Sequence, residues 1–245
     1  THVYDGNGTA DRAITNNIDL SNKGGLVWTK CRNTAHGHAL VDTANGAQKY
    51  LASEGTAALR SDSYSQEGIT SFSSTGYVLG ADSGSDRFNR SDRTYVSWTF
   101  RKQPKFFDIV TWTGNATART ISHSLGSVPG MIIVKQTSGT KEWRVYHRSL
   151  DSSAPEDYYI ALQSTNDRID DADTWNDTAP TSSVFSVGSG SVTNQNGETY
   201  VAYLFAHNND DGGFGEPGDQ DIIKCDTYTG NGSNTGSKSV TLGFE

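Results

Sequence analysis

Three versions of one five-residue phrase organise this chain: YDGNG at 4–8, WTGNA at 112–116 and YTGNG at 228–232. They begin at Tyr4, Trp112 and Tyr228, so successive copies lie 108 and 116 residues apart. Two longer matches keep nearly the same distance. GGLVWTK (24–30) is answered by PGMIIVK (129–135), and TYVSWTFRK (94–102) by TYVAYLFAH (199–207), each pair offset by 105 residues. Anchors in one order at one offset indicate a unit of about 105–115 residues written twice. That length is a domain, not a solenoid turn, so two tandem domains are expected, at 1–104 and 105–219. Residues 220–245 then either begin a third unit or supply closing strands, since DIIKCDTYTGNG resembles FFDIVTWTGNA at the opening of the second unit.

The runs between these anchors read as strands. In TYVSWTF, Val96, Trp98 and Phe100 alternate with Tyr95, Ser97 and Thr99, and Val201, Tyr203 and Phe205 take the same places in the second copy. Apolar residues at matched alternating positions predict the core-facing side of a strand. LVWTK and MIIVK are continuously apolar, as in a strand covered on both faces. Further strands are expected at 38–43, 49–53, 75–80, 106–114, 143–148, 158–163 and 183–188, and one helical turn near 54–62. About seven strands per unit, punctuated by Gly, Asn and Ser, predict an all-β fold of two tandem jelly-roll or lectin-like β-sandwiches. Within the pentad, Gly6 and Gly114 are expected at tight turns needing positive φ. Asn7-Gly8 and Asn231-Gly232 are expected in hairpin turns. The phrase is therefore a structural corner.

Charge and hydropathy exclude several partners. The net charge is −8 with scattered basic residues, which argues against a nucleic-acid backbone as ligand. The one dense basic run, RKQPK (101–105), is taken as a solvated linker rather than an anion site. No stretch of 18 apolar residues offers a membrane-spanning helix. The chain opens on Thr1 and its single Met is Met131, so it is expected to be processed or cut from something longer.

Motifs that carry chemistry are few. GxSxG, P-loop, HExxH and CxxC patterns are absent. His36 and His38 alternate on one strand, where two imidazoles can meet a metal, but no third ligand is evident and surface histidines are expected. The carboxylate runs at 167–173, 173–177 and 208–221 lie in Gly-rich loops, where they stay solvated. A catalytic pair or a calcium site at Asp210, Asp211 and Asp219 is the sharper alternative. No metal and no cofactor is therefore predicted. Cys31 and Cys225 are expected as buried free thiols, with a bridge between them as the alternative. The candidate ligand surface is Trp143, Tyr158, Trp175 and Asp177: rings to stack on a sugar face and a carboxylate at the rim. For each ring a core position competes.

FFDIVTWTGNATARTISHSLGSVPGMIIVK, EWRVYHRSL, the run at 175–188 and TYVAYLFAHNNDDGGFG resemble a repeated domain of bacteriophage, often marine phage, tail-fibre and virion-surface proteins. GLVWTKCRN, GITSFSSTGYVLG and TYVSWTFRK extend the resemblance more loosely through the first unit. The resemblance implies a β-sandwich on an appendage at the virion surface, with other virion proteins and a bacterial surface glycan or protein as partners. It also implies a homo-oligomer, such as a trimer, without membrane insertion or nucleic-acid binding. The family pattern continues past SVTLGFE, so the chain is expected to stop inside a third unit. No catalytic residue is carried over. A non-enzymatic structural protein that attaches to the host is the leading expectation. A spacer or capsid decoration without ligand is the alternative, and a glycan depolymerase the second alternative.

Overall fold

A computed structural model describes residues 1–61, 67–233 and 238–241, which build an all-β molecule of antiparallel sheets. In the first half, β1 (His2–Asp5), β9 (Thr94–Arg101), β3 (Gly25–Cys31) and β4 (Ala39–Asp42) lie side by side in that order. A smaller sheet of β2 (Arg12–Thr15), β8 (Gly76–Leu79) and β7 (Ile69–Ser73) faces it, and β5 (Lys49–Tyr50) pairs with β6 (Arg60–Ser61). The second half runs in the same order. Its large sheet is β10 (Phe107–Thr113), β17 (Thr199–Ala206), β12 (Pro129–Gln136) and β13 (Arg144–His147). Against it lie β11 (Arg119–Ser122) with β16 (Val184–Val187), while β14 (Tyr158–Tyr159) pairs with β15 (Ile169–Asp170). A single helical turn, α1 (Ala172–Trp175), is the only α-helix among the described residues.

Each half closes on its own core. Ile14, Val27, Val41, Tyr77, Leu79 and Tyr95 fill the first, and Ile121, Ile132, Val134, Phe185, Val187 and Leu204 the second. A third core lies between the halves. Leu26, Leu40 and Leu51 of the first meet Phe107, Ile109, Ile133, Trp143, Val145, Val201, Tyr203 and Phe205 of the second. Polar bonds stitch the same seam: Leu59 N donates to Thr137 O at 2.8 Å, and Tyr203 Oη to Asp42 Oδ2 at 2.8 Å. The halves are therefore not beads on a string. The RKQPK run, expected as a solvated linker, is pinned instead: Lys102 Nζ lies 2.9 Å from the buried carboxylate of Asp108.

The inward face of β9 also differs from expectation. Tyr95 and Ser97 point into the first core, where Ser97 Oγ accepts from Tyr77 Oη at 2.9 Å. Val96, Trp98 and Phe100 sit on the opposite face, half-buried, and only Phe100 packs against the shared core. In β17 the corresponding Val201, Tyr203 and Phe205 are buried between the halves, while Tyr200, Ala202 and Leu204 fill the second core. Alternation separates two faces but does not say which of them a second layer covers.

The repeated pentads form a corner built twice from the same parts. Tyr4 stacks on Tyr95 at 5.2 Å between ring centroids, and Trp112 on Tyr200 at 5.3 Å. One buried asparagine then holds each corner. Asn89 Nδ2 donates to Thr9 O at 2.8 Å and Gly80 O at 2.9 Å, and its Oδ1 accepts from Asn7 N at 3.2 Å. Asn194 bonds Thr117 O at 2.7 Å, Gly188 O at 2.8 Å and Asn115 N at 3.1 Å in the same way. Gly6 and Gly114 are not the positive-φ turns expected; that backbone belongs to Gly8 (φ 73°) and Ala116 (φ 56°). They are small because a carbonyl crosses them: a Cβ would stand 2.0 Å from Arg90 O or 2.1 Å from Gln195 O. Nor does Asn7-Gly8 make a hairpin, since β1 and β2 belong to different sheets.

Beyond the isolated bridge Phe214–Gln220, the described residues after Ala206 join no sheet, so closing strands are not found there. The third pentad is exposed, with Tyr228 at 69%. The tail nevertheless leaves the second half as β10 leaves the first. Gln103 N donates to Phe107 O and Asn208 N to Ile223 O, both at 2.9 Å. Residues 54–61 contain no helical turn, and 62–66 lie outside the described residues. Both cysteines are free and buried.

Candidate functional site

The four residues singled out as a ligand surface do not come together as one. Trp175 is 2% exposed on α1, with its indole N–H given to Tyr158 O at 3.1 Å and its ring edge-on to Tyr146. The turn is held by the Asp171 side chain, which accepts from Asp173 N at 3.1 Å, and it stops at Asn176 in the left-handed region. Trp143 is fully buried between the halves, donating to Ala52 O at 3.2 Å and Gly55 O at 3.0 Å. Neither indole has a face free to stack on a sugar. Tyr158 is half-buried with the Arg168 guanidinium 4.3 Å over its ring, and that arginine is paired with Asp151 at 2.9 Å. Asp177 alone is open to solvent. Desolvation, then the charges of Asp157, Asp170, Asp171 and Glu156, hold its carboxyl above the usual range.

The other polar candidates are engaged within the protein. His36 Nε2 lies 3.0 Å from Asp86 Oδ2, whereas His38 Nδ1 accepts from Trp28 Nε1 at 2.8 Å, so the two rings serve different partners. In the acidic loop, Asp221 caps the amides of Asp210 (2.8 Å) and Gly212 (3.0 Å), and Asp211 Oδ1 accepts from Asn209 N at 3.0 Å. Among the described residues no three His, Cys, Asp or Glu side chains are grouped to hold a metal ion.

The surface that does present aromatic rings is the margin of the β1-β9-β3-β4 sheet, where Trp28 packs against the shared core. Trp28 faces Trp98 across neighbouring strands, with ring centroids 6.4 Å apart and planes at 75°. Both indoles are half-buried. Val3, 58% exposed, sits opposite Val96 on β9, and Lys30 opposite Val96 on β3, which extends the face by three side chains. His38 borders Trp28 edge-on at 5.7 Å. Its backbone is clamped by Glu54 Oε2 (3.0 Å from the amide) and Arg87 Nη1 (2.8 Å from the carbonyl). Burial first, then the charge of Lys30, hold this imidazole below its ordinary value, so at neutral pH it is an uncharged ring. One indole can stack on a sugar face, while the other, at 75° to it, and the nearby imidazole, ammonium and clamped carboxylate can border its rim.

One comparison with known proteins is decisive. A family model for a domain of unknown function, DUF7483, matches residues 1–245. The chain belongs to the DUF7483 family. No curated protein and no solved structure matches this DUF7483 chain.

The residues missed in the DUF7483 sequence had a signal, though a faint one. Trp28 and Trp98 are tryptophan where the second half has Ile133 and Tyr203 at the same offset. An indole at Trp28 where the counterpart is aliphatic marks a difference between the two faces.

Proposed function

We propose that this chain is a non-enzymatic structural module of a phage virion appendage, and that its first half contacts the bacterial surface through the Trp28–Trp98 face. The single observation behind the contact is that pair of half-buried indoles at the margin of a sheet face, with Trp28 packed against the shared core and Trp98 beyond it. The virion setting comes from the resemblance of the repeated segments to tail-fibre domains, as do its oligomeric state and its placement among other virion proteins. The shared core between the halves suits such a setting, because it lets two sandwiches act as one stiff element.

A second proposal, a spacer without ligand, has its own supporting observation. A repeated binding face would recur on both halves, yet the matching face of β17 lies in the shared core. The test is binding of the folded protein to a glycan array and to bacterial cells, beside Trp98→Ala. Saturable binding that the substitution abolishes supports surface attachment. Absence of binding by a correctly folded, assembled protein leaves the spacer.

A further inference from the structure

A cavity of about 650 Å³ opens at one end of the second half, away from the Trp28–Trp98 face. Three basic side chains line it from three distant parts of the chain: Lys105 before β10, Arg148 after β13 and His207 after β17. In a chain of net charge −8 this gathering is against the background.

Neither cation among them, Lys105 or Arg148, is paired with a carboxylate among the described residues, while burial and the charge of Arg148 hold the His207 imidazole below its ordinary value. Lys105 Nζ donates to a backbone oxygen, Asp211 O at 2.7 Å, while the Asp211 carboxylate turns back to Asn209 N. His207 is anchored through Nδ1 to the backbone of Cys225, with contacts of 2.9 and 3.2 Å, which leaves Nε2 for another partner. Arg148 forms no side-chain hydrogen bond or ion pair among the described residues.

Two hydroxyls in the same lining are also unspent. Tyr146 is buried as a residue, but its phenol oxygen is open to the cavity and has no hydrogen-bond partner among the described residues. Ser127 Oγ is buried without one. A buried donor is stable only when something accepts from it, and no described residue accepts from Ser127. The exposed Arg148 guanidinium, the Lys105 ammonium and the two hydroxyls converge on one cavity with Asp211 as its acidic residue, and donors of this kind share a complement, a group with several acceptor oxygens and negative charge. Val128 and Pro155 add apolar wall beside it, which suits the ring that carries such a group.

We propose that this cavity is an oxyanion site, fitted to a phosphate, sulfate or carboxylate group, with Arg148 and Tyr146 as the principal donors. The site belongs to the second half alone. By strand register, Val41 takes the place of Tyr146 in the first half, and Lys102 takes that of His207 but is paired with Asp108. It stands independently of the Trp28–Trp98 face.

The test is calorimetric titration of the full chain with inorganic phosphate, glucose 6-phosphate, glucuronate and neutral glucose. The anions are expected to bind at one site per chain, and glucose is not. Arg148→Gln and Tyr146→Phe are each expected to weaken binding about tenfold or more. Arg168→Gln, on a side chain already paired with Asp151, is expected to leave it unchanged. Inorganic phosphate binding as tightly as glucose 6-phosphate supports the site with free phosphate as its ligand. Preference for the sugar-borne anions supports it with an acidic saccharide. Binding of none of the anions, or binding equally tight in the folded Arg148→Gln and Tyr146→Phe proteins, overturns it.

Discussion

Strands β9 and β17 carry nearly the same sequence, TYVSWTFR and TYVAYLFA, and occupy corresponding places, yet they live in different surroundings. From Tyr200 to Ala206 every residue of β17 is buried, because its two faces lie in two cores. In β9 only Tyr95 and Ser97 are buried. The difference is not in the strand but in what lies above it: the second half covers Leu26 and Leu40 and stops short of Val96 and Trp98. Each half thus has one private core and unequal shares of a common one. The second half covers both faces of its long strand β17, while the first leaves the indole of Trp98 half-buried.

The comparison is most exposed to Trp143→Ala. This ring belongs to the second half by sequence but hydrogen-bonds the first, and its loss is expected to cost about 3–5 kcal/mol. Chemical denaturation with hydrogen exchange should show β3 and β4 losing protection together with β12 and β13. Protection of β3 and β4 at the wild-type level would mean that the halves are energetically separate. The twin corners come next. Asn89→Ala and Asn194→Ala each strand a backbone donor and two carbonyls, so each is expected to cost about 2–4 kcal/mol, with Asn89 the dearer because it also accepts from Arg12 at 3.1 Å. Widely unequal losses in urea melts would end the idea that the two corners are equivalent.

Lys135 sharpens the contrast at a third level. It is fully buried on β12, donating to Gln136 O at 2.7 Å, and burial pushes its amine down to about 8. The unfolded chain keeps that proton to about 10.4, so between the two values unfolding takes up a proton and stability rises with pH. A gain of roughly 2 kcal/mol is expected between about pH 8 and pH 10, and Lys135→Met should flatten it. Above that window the buried phenols of Tyr4, Tyr77 and Tyr203, raised chiefly by burial, reverse the slope. Lys30, at the matching place on β3 and only half-buried, should leave the rise intact when replaced by Met. The smallest effect is Trp98→Ala, expected within about 1 kcal/mol of wild type because its ring is already partly in water. A large loss would place Trp98 in a covered core.

What was legible in the sequence was what is local. Alternation and apolar runs located β3, β4, β9, β10, β12, β13, β16 and β17, because pairing and burial leave a period of two. The four-residue strands HVYD, RAIT and RTIS were not legible, since each buries only one residue. Site residues failed for a related reason. Trp175 sits among Asp, Thr and Asn in the sequence, but a capped turn swings it inward. Trp143 is covered by Ala52 and Gly55, 91 and 88 residues away. Gly6 and Gly114 were legible as necessary but not for the right cause, because the crossing carbonyls come from Arg90 and Gln195. Arg148, Lys105, His207 and Tyr146 share no motif at all. Only the fold brings them to one cavity.

The pairing of first strand with last has a consequence during synthesis. His2 must wait for Ser97 and Phe107 for Phe205, so neither large sheet can be completed until nearly a hundred further residues have been made. Such distant pairing is slow to form. The face carrying Leu26, Leu40 and Leu51 has a longer wait, for β17 is the last of the strands that cover it. For that interval a nascent first half shows the surrounding cell an oily sheet meant for its sibling. The same face on another nascent chain is the nearest wrong partner, so slowing translation between the halves should favour cross-chain mispairing over soluble product.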